Sequence, residues 1–310
     1  MQSIFRLTIN QENASLKPKD LKHDPGFDVT DVVYNAARDR WFTVGYTKRN
    51  SGEIYGGFWQ VDASDAANAT IELDRSFRQN DILSANIRTS CEDYRWRDTS
   101  SFTRPVPDQL NVTPNGRYAY TVQCSRSPGR KLGIVAYEIS LETEKFMGLS
   151  LGNADVRDIQ ADRIAMNPQG TLLFAVDSVD AKLHVLRVDE QTGQLDPIGS
   201  PVTLDSGPDR IEVSPDGRLI FIAHPTAALI TEFAVDPISG DVQQVEGSPY
   251  TSFRMPIVMR IDASQTYLYV LFDHDDKIDH YAIDPDSGKL SWADRSKVDK
   301  ELPGDFVLTP

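Results

Sequence analysis

The stretch "RIEVSPDGRLIFIAHPTAALITEFAVDPISGDVQQVEGSPY" runs from Arg210 to Tyr250. A short apolar segment precedes Ser-Pro-Asp-Gly. A second follows at once, then a third, and then a turn reading Asp-Pro-Ile-Ser-Gly-Asp. The same layout recurs in "DRIAMNPQGTLLFAVDSVDAKLHVLRVDEQTGQLDPIGSPV" (Asp162–Val202) and in "QLNVTPNGRYAYTVQCSRSPGRKLGIVAYEIS" (Gln109–Ser140). A fourth copy, "IVMRIDASQTYLYVLFDHDDKIDHYAIDPDSGKLSWADRS" (Ile257–Ser296), carries Ala263 where the others carry proline. Taking the second residue of the first turn as a mark places the units at Pro114, Pro168, Pro215 and Ala263, in steps of 54, 47 and 48 residues. Weaker copies put Ala36 and Pro310 on the same mark.

Each unit reads as four short strands. The first is β-rich, as in Ile211-Glu212-Val213. A turn follows in which proline fixes φ and glycine supplies φ > 0. The second strand, Leu219 to Ala223, is apolar enough to be covered on both faces. The third alternates, and after the Asp-Pro-Ile-Ser-Gly-Asp turn the fourth, Val242 to Val245, is weak and polar. A weak, polar outer strand suits a sheet edge that must not recruit other chains. A four-stranded unit recurring at about 45 residues predicts an all-β fold, a single β-propeller of four-stranded blades over residues 1–310. A β-sandwich would not produce this periodic turn chemistry. "DFVLTP" at the C-terminus is a first strand without a second, and "SIFRLTINQENASLKP" near the N-terminus resembles a third strand, a turn and a fourth. Together they complete one blade and close the ring. That blade lacks a second strand, so it is three-stranded or the chain begins inside it; the second reading is preferred, because Met1 abuts the third strand.

The first step, from Ala36 to Pro114, is 78 residues. Its excess, about 30 residues, falls in an insertion at 76–109, short for a blade and long for a loop. The count is therefore six blades with an insertion, or seven with one degenerate. The insertion carries Arg78, Arg88, Arg95, Arg97 and Arg104 among Tyr94, Trp96 and Phe102. It is read equally as a binding loop and as a segment packed on a blade edge.

The chain has 46 acidic against 32 basic residues, a net charge of −14. Such a balance argues against nucleic acid and anionic membrane surfaces as partners. No apolar run approaches the roughly 18 residues of a transmembrane helix. No signal peptide is present; if the chain is truncated, a periplasmic or secreted location is favoured. Cys91 and Cys124 are either a disulfide that pins the insertion or two separate thiols. Asn13-Ala14-Ser15, Asn68-Ala69-Thr70 and Asn111-Val112-Thr113 fit the N-glycosylation pattern, as chance also provides. No nucleophile elbow, zinc-protease motif or phosphate loop is present, and neither cofactor nor metal is expected.

The run "GPDRIEVSPDGRLIFIAH…LITEFAVDPISGDVQQVEGSPY" resembles the lactonase family of β-propellers, which includes 6-phosphogluconolactonases and muconate-cyclase-like proteins. The likeness is specific from Asp162 to Pro310. It implies seven blades and a site at the mouth of the central channel. Lactonase-active members tend to carry Gly-Pro-Arg-His before a first strand; here the matching positions are Gly207, Pro208, Asp209 and Arg210. The histidine is absent, and the arginine has moved by one. Asp162-Arg163 repeats the substitution 47 residues earlier. A lactonase needs a base to activate water and donors for the oxyanion. Asp209, Arg210, Asp162 and Arg163 are the candidates, though a repeated Asp-Arg also serves as a structural device.

His224, His274, Asp177, Asp273 and Arg254 are candidate ligand-binding residues from the strand-to-loop positions of neighbouring units, where Cys124 also falls. His184 and His280 lie in third strands and are expected to be exposed. The main functional expectation is a scaffold that binds a small polar or anionic molecule or a protein partner. The alternative is a lactone hydrolase, or related cyclase, for a small anionic sugar-type substrate.

Overall fold

The computed structural model of the protein describes residues 4–9, 16–23, 28–35, 37–38, 40–48, 54–62, 71–73, 107–123, 133–140, 146–252, 254–272, 277–297 and 308–309. The insertion between 76 and 106, both cysteines, Asp273 and His274 lie outside these residues.

Near the N-terminus, β1 (Ile4–Ile9) and β2 (Leu16–His23) form an antiparallel hairpin. One sheet then follows another in chain order. The first contains β3 (Asp28–Asn35), β4 (Arg40–Lys48), β5 (Ile54–Asp62) and β6 (Ile71–Leu73). The second contains β7 (Pro107–Val112), β8 (Tyr118–Gln123), β9 (Gly133–Ile139) and β10 (Phe146–Leu149). A four-residue helix, α1 (Ala154–Arg157), is capped by Asn153 and leads to β11 (Arg163–Met166), β12 (Leu172–Asp177), β13 (Lys182–Val188) and β14 (Leu195–Pro197), with β15 (Val202–Thr203) on β13. The same plan recurs as β16 (Arg210–Val213), β17 (Leu219–His224), β18 (Leu229–Val235) and β19 (Val242–Gln244), with β20 (Tyr250–Thr251) on β18. The last full sheet is β21 (Pro256–Ile261), β22 (Tyr267–Phe272), β23 (Lys277–Ile283) and β24 (Leu290–Lys297). β25 (Leu308–Thr309) pairs back onto β1.

These four-stranded antiparallel meanders are the predicted blades. The terminal sheet has the order β2-β1-β25, and β1 runs parallel to β25. In such a meander the first and third strands point the same way with the second between them. Direct pairing of a first strand with a third is therefore parallel. The hairpin register supports the equivalence: Leu7 faces Pro18 and Ile9 faces Leu16, as Leu186 faces Pro197 and Val188 faces Leu195.

One device recurs at the first turn of each unit. The residue before the mark is always small and polar: Thr113, Asn167, Ser214 and Asp262, all buried. Its side-chain oxygen accepts the amide that opens the second strand. Asn167 Oδ1 takes Thr171 N and Leu172 N, both at 2.9 Å. Ser214 Oγ takes Leu219 N at 2.9 Å, Asp262 Oδ1 takes Tyr267 N at 2.8 Å and Thr113 Oγ1 takes Tyr118 N at 3.0 Å. The turn then needs positive φ, met by Gly116, Gly170 and Gly217 and, in the fourth copy, by Gln265 at φ 58°. The second turns use an exposed aspartate in the same way: the carboxylates of Asp189, Asp236 and Asp284 each accept two backbone amides, which holds their pKa below the usual aspartate value.

The core lies in the seams between successive sheets. The chain divides into two compact units, Met1–Asp24 with Val176–His184 and Gly199–Pro310, and Pro25–Ala175 with Val185–Ile198. In the second unit, Tyr118, Tyr120, Val122 and Ala136 pack on Leu173, Ala175, Leu186 and Leu195. The Tyr120 hydroxyl donates to Gly193 O across that seam at 2.8 Å. In the first unit, Phe221, Ala223 and Ile230 meet Met259, Leu268, Val270, Phe272 and Ile283. β17 is buried on both faces from Ile220 to His224, as its unbroken apolar run predicts.

One residue in the first unit's seam breaks this pattern. Glu232 of β18 pairs with Phe221 and shares its face, and it is fully buried. Among the described residues neither carboxyl oxygen has a partner within full hydrogen-bond geometry, although the Tyr250 hydroxyl is near. The approach of Gly288 is close, since a Cβ there would sit 3.1 Å from Glu232 Oε1. Burial pushes the Glu232 pKa up to about 7, partly opposed by the nearby Tyr250 hydroxyl.

Two stability predictions arise from these contacts. Ser214→Ala leaves the half-buried Leu219 amide without its acceptor, while Arg218 N keeps Asp216 Oδ1, so denaturant melts should show a loss of about 1–3 kcal/mol; a loss within error would show that the turn closes without it. For Glu232 the folded pKa is raised, so the unfolded chain ionises first as pH rises from 4.5 to about 7. Stability is therefore lost across that window and levels off above it, by on the order of 3 kcal/mol in total. Glu232→Gln should abolish this slope, and parallel melting-temperature curves for both proteins between about pH 5 and pH 8 would contradict the assignment.

Candidate functional site

In the first unit the site is built on β16, from the segment before it to Glu212, and on Arg260 near the C-terminal end of β21. β16 begins with Arg210, which closes the Gly-Pro-Asp-Arg stretch singled out in the sequence; the segment before it runs from Ser206 to Asp209. Asp209 N donates to Ala223 O at 2.9 Å, which extends the β16–β17 ladder by one residue. Arg210 Nη1 lies 3.1 Å from Asp209 Oδ2 and donates to the Asp209 carbonyl at 2.8 Å. The guanidinium is thus folded back over its own strand beside the carboxylate.

Two residues on, Glu212 Oε2 lies 3.4 Å from Arg260 Nη1 of β21, which also donates to the Met259 carbonyl at 2.8 Å. Glu212 and Arg260 occupy the same repeat place, three residues before the marks Pro215 and Ala263. Superposing the units would have revealed this pair, which the motif comparison missed. Side-chain exposures are 24% for Arg210, 33% for Asp209, 27% for Arg260 and 23% for Glu212. All four are reachable by a small molecule yet partly desolvated, a setting in which charge acts more strongly than on an open surface.

Three features support the Asp209 segment from below. Gly207 lies against the backbone of Ser178: a Cβ at 207 would sit 2.8 Å from Ser178 O, so no larger residue fits without movement. Ser178 belongs to the turn shaped by Asp177, whose Oδ1 accepts Val179 N at 2.8 Å and Asp180 N at 2.9 Å. His224, at the end of β17, is fully buried, with Nδ1 2.9 Å from Ser206 O and Nε2 2.9 Å from Thr231 Oγ1. Burial lowers its pKa, opposed by its bond to Ser206 O and by Asp205.

The sequence-derived residues therefore divide by location and by role. Asp209 and Arg210 stand together and partly exposed. Asp177 and His224 are near the same segment, but each is buried and fully engaged with the protein, Asp177 as a turn acceptor and His224 as a bridge. Neither presents its side chain to an open surface: Asp177 Oδ1 accepts from its own turn, and the His224 ring lies between Ser206 and Thr231. Arg254 is exposed and precedes β21, and its carbonyl accepts from Ser252 Oγ at 2.7 Å. Asp273 and His274 lie outside the described residues.

Asp162 and Arg163 belong to the second unit. Arg163 is 9% exposed, and its Nη1 donates to the Asp162 carbonyl at 2.9 Å, the same fold-back as in Arg210. Beside it, Gln109 Oε1 accepts Ile164 N at 2.8 Å, and Asn111 Oδ1 accepts Met166 N at 2.9 Å. Asn111, with its Nδ2 also donating to Ile164 O at 3.3 Å, ties two inner strands together and is no glycan acceptor in the folded chain. His280, expected to be exposed, is buried at 1%, because β23 is covered on both faces. Among the described residues, no group of three or more His, Cys, Asp or Glu side chains is arranged to hold a metal ion, and no helix is long and apolar enough to cross a membrane.

Comparison with known proteins places this geometry. Residues 164–304 match the model of the lactonase family, described as a seven-bladed β-propeller. No curated protein sequence matches the chain. Among solved structures, a candidate 6-phosphogluconolactonase from Bacteroides fragilis aligns at TM-score 0.61 and 18% identity over 96% of this chain and 78% of its own. A second such protein, from Bacteroides uniformis, aligns at 0.61 and 16% over 95% and 92%. The periplasmic gluconolactonase of Pseudomonas aeruginosa aligns at 0.62 and 14% over 95% and 85%. At these identities the likeness carries the fold. With blade-like sheets throughout the described residues, the chain has a β-propeller architecture, and its residues 164–304 are similar to the lactonase family.

Proposed function

We propose that the protein hydrolyses a lactone of a small polar or anionic sugar-type acid, using the Asp209–Arg210 and Glu212–Arg260 pairs. The observation that carries this reading is the two partly exposed carboxylate–guanidinium pairs, at 3.1 Å where β16 begins and at 3.4 Å between Glu212 of β16 and Arg260 of β21. The family match over residues 164–304 and neighbours that include a gluconolactonase support it.

The chemistry asks for little. Water adds to the lactone carbonyl carbon, and the carbonyl oxygen becomes an oxyanion. The ring C–O bond then breaks, and the leaving alkoxide takes up a proton to give a hydroxy acid. Asp209 is placed to accept the proton from water. Arg210, whose planar fork presents several N–H donors, is placed to hold the oxyanion. Arg260, anchored by Glu212, supplies a second cation for the hydroxyl or anionic end of the substrate. A carboxylate fills the role that the missing motif histidine would otherwise take as base.

A pH-stat assay over a panel of aldono-δ-lactones, their 6-phosphates and aliphatic lactones tests this. The expected result is turnover of at least one sugar lactone. Asp209→Asn and Arg210→Ala should lower kcat/KM by about 100-fold or more, and Arg260→Ala should act mainly on KM. No turnover above the buffer rate, together with specific binding of a sugar acid, would overturn hydrolysis. It would leave the ligand-binding scaffold, the reading that the absent motif histidine favours.

A further inference from the structure

We propose that His224 is a positioning residue, whose bridge between Ser206 and Thr231 fixes the segment carrying Asp209 and Arg210; the catalytic part of this inference rests on the function proposed above. A carbonyl oxygen only accepts hydrogen bonds, so the ring nitrogen 2.9 Å from Ser206 O must carry the proton. Nε2 is then the acceptor, and Thr231 Oγ1, at 2.9 Å, donates to it. One neutral tautomer satisfies both contacts, and both His224 and Thr231 are buried to 1% exposure or less.

The position explains why these bonds matter. Ser206 is three residues before Asp209. Between them, Gly207 presses on the Ser178 carbonyl and Pro208 fixes φ, so the segment has little freedom of its own. After it, Asp209 N joins the ladder at Ala223 O, the residue next to His224. The segment is therefore held at both ends from the last two residues of β17: at Ser206 by the His224 side chain and at Asp209 by the Ala223 carbonyl. Remove the imidazole and the part-buried Ser206 O loses its donor, beside the buried Ser206 Oγ, which has no partner among the described residues. The segment must then move to rehydrate, and Asp209 and Arg210 move with it. The same repeat place in the preceding unit is Asp177, which holds its own turn by accepting two amides. The strand-end residue braces a neighbouring segment in both units, the turn after it at Asp177 and the segment before the first strand at His224.

Three variants and three readouts test this. In the native protein, the ¹⁵N shifts of His224 should report the Nδ1–H tautomer, and the Asp209 amide should be protected from hydrogen exchange. His224→Leu should speed Asp209 exchange by about tenfold or more, from the unpaired part-buried carbonyl, while the central β17–β18 amides keep their protection. If lactone turnover is present, kcat should fall by a similar factor with KM little changed. His224→Asn, whose amide can replace the Nδ1 donor, should recover most of both losses. Gly207→Ala should reproduce the His224→Leu phenotype from the opposite side of the segment. A folded His224→Leu protein with native Asp209 protection and native kcat would overturn the proposal. So would an Nε2–H tautomer. If His224→Leu does not fold, His224→Asn decides: retained Asp209 protection supports the brace, and loss of it at an unchanged melting temperature overturns it. Absence of turnover in the native protein would count against the lactonase reading, while the exchange and tautomer arms still decide the brace.

Discussion

A buried side-chain oxygen that accepts the opening amide of each second strand is the interaction on which the rest depends. Thr113, Asn167, Ser214 and Asp262 supply it in successive units. Each sits where the chain reverses between the first and second strands, and each satisfies backbone donors that the tight turn leaves without a ladder partner. A buried amide without an acceptor costs more than the net worth of an ordinary hydrogen bond. The turn therefore closes in one geometry, and the first strand lies in one register on the second. A slip of one residue would exchange the faces of the strand. In β16 it would exchange Arg210 and Glu212 for Ile211 and Val213 on the face shared with Phe221 and Ala223.

The candidate site follows from that fixed register. Ser214 sets β16 against β17, which places Arg210 opposite Ala223 and lets Asp209 N bond the same residue's carbonyl. Asp262 does the same for β21, which carries Arg260. The charged pairs rest on strands rather than on free loops, so their guanidinium groups are aimed by the backbone. Each also bonds the carbonyl of the residue before it, which removes much of the rotational freedom of a long side chain. The buried bridge at His224 and the close approach of Gly207 to Ser178 complete the support.

Much of this was legible in the sequence, for a physical reason. Turn chemistry is local, so Pro-Asp-Gly and Asp-Pro-Ile-Ser-Gly-Asp announce their turns without reference to distant residues. The apolar run Leu219 to Ala223 announces a strand covered on both faces. The terminal pairing was legible from strand order, and the structure adds that β25 lies directly and in parallel on β1. Roles of polar side chains were much less legible. Asp177 and His224 stand near Asp209, as the repeat spacing implies, yet they face inward and support the segment. Whether a strand-end histidine meets solvent or a carbonyl depends on how the segment before the first strand lies against it, here 18 residues earlier in the chain. Glu232 was invisible for the same reason: its alternating place in a third strand looks exposed until the neighbouring blade covers it. Glu212 and Arg260 escaped because their pairing joins two units, although their shared repeat position carried the signal.

The central claim is that a small sugar-type acid is handled at the Asp209–Arg210 and Glu212–Arg260 pairs. The most direct measurement is a crystal structure of the protein soaked with an aldonate, the product of the proposed hydrolysis. The account predicts the ligand's carboxylate on the Arg210 guanidinium, its hydroxyls or phosphate toward Arg260, and Asp209 within hydrogen-bond distance of the carboxylate carbon's substituents. An aldonate ordered elsewhere on the protein, with Asp209, Arg210 and Arg260 left untouched, would contradict it.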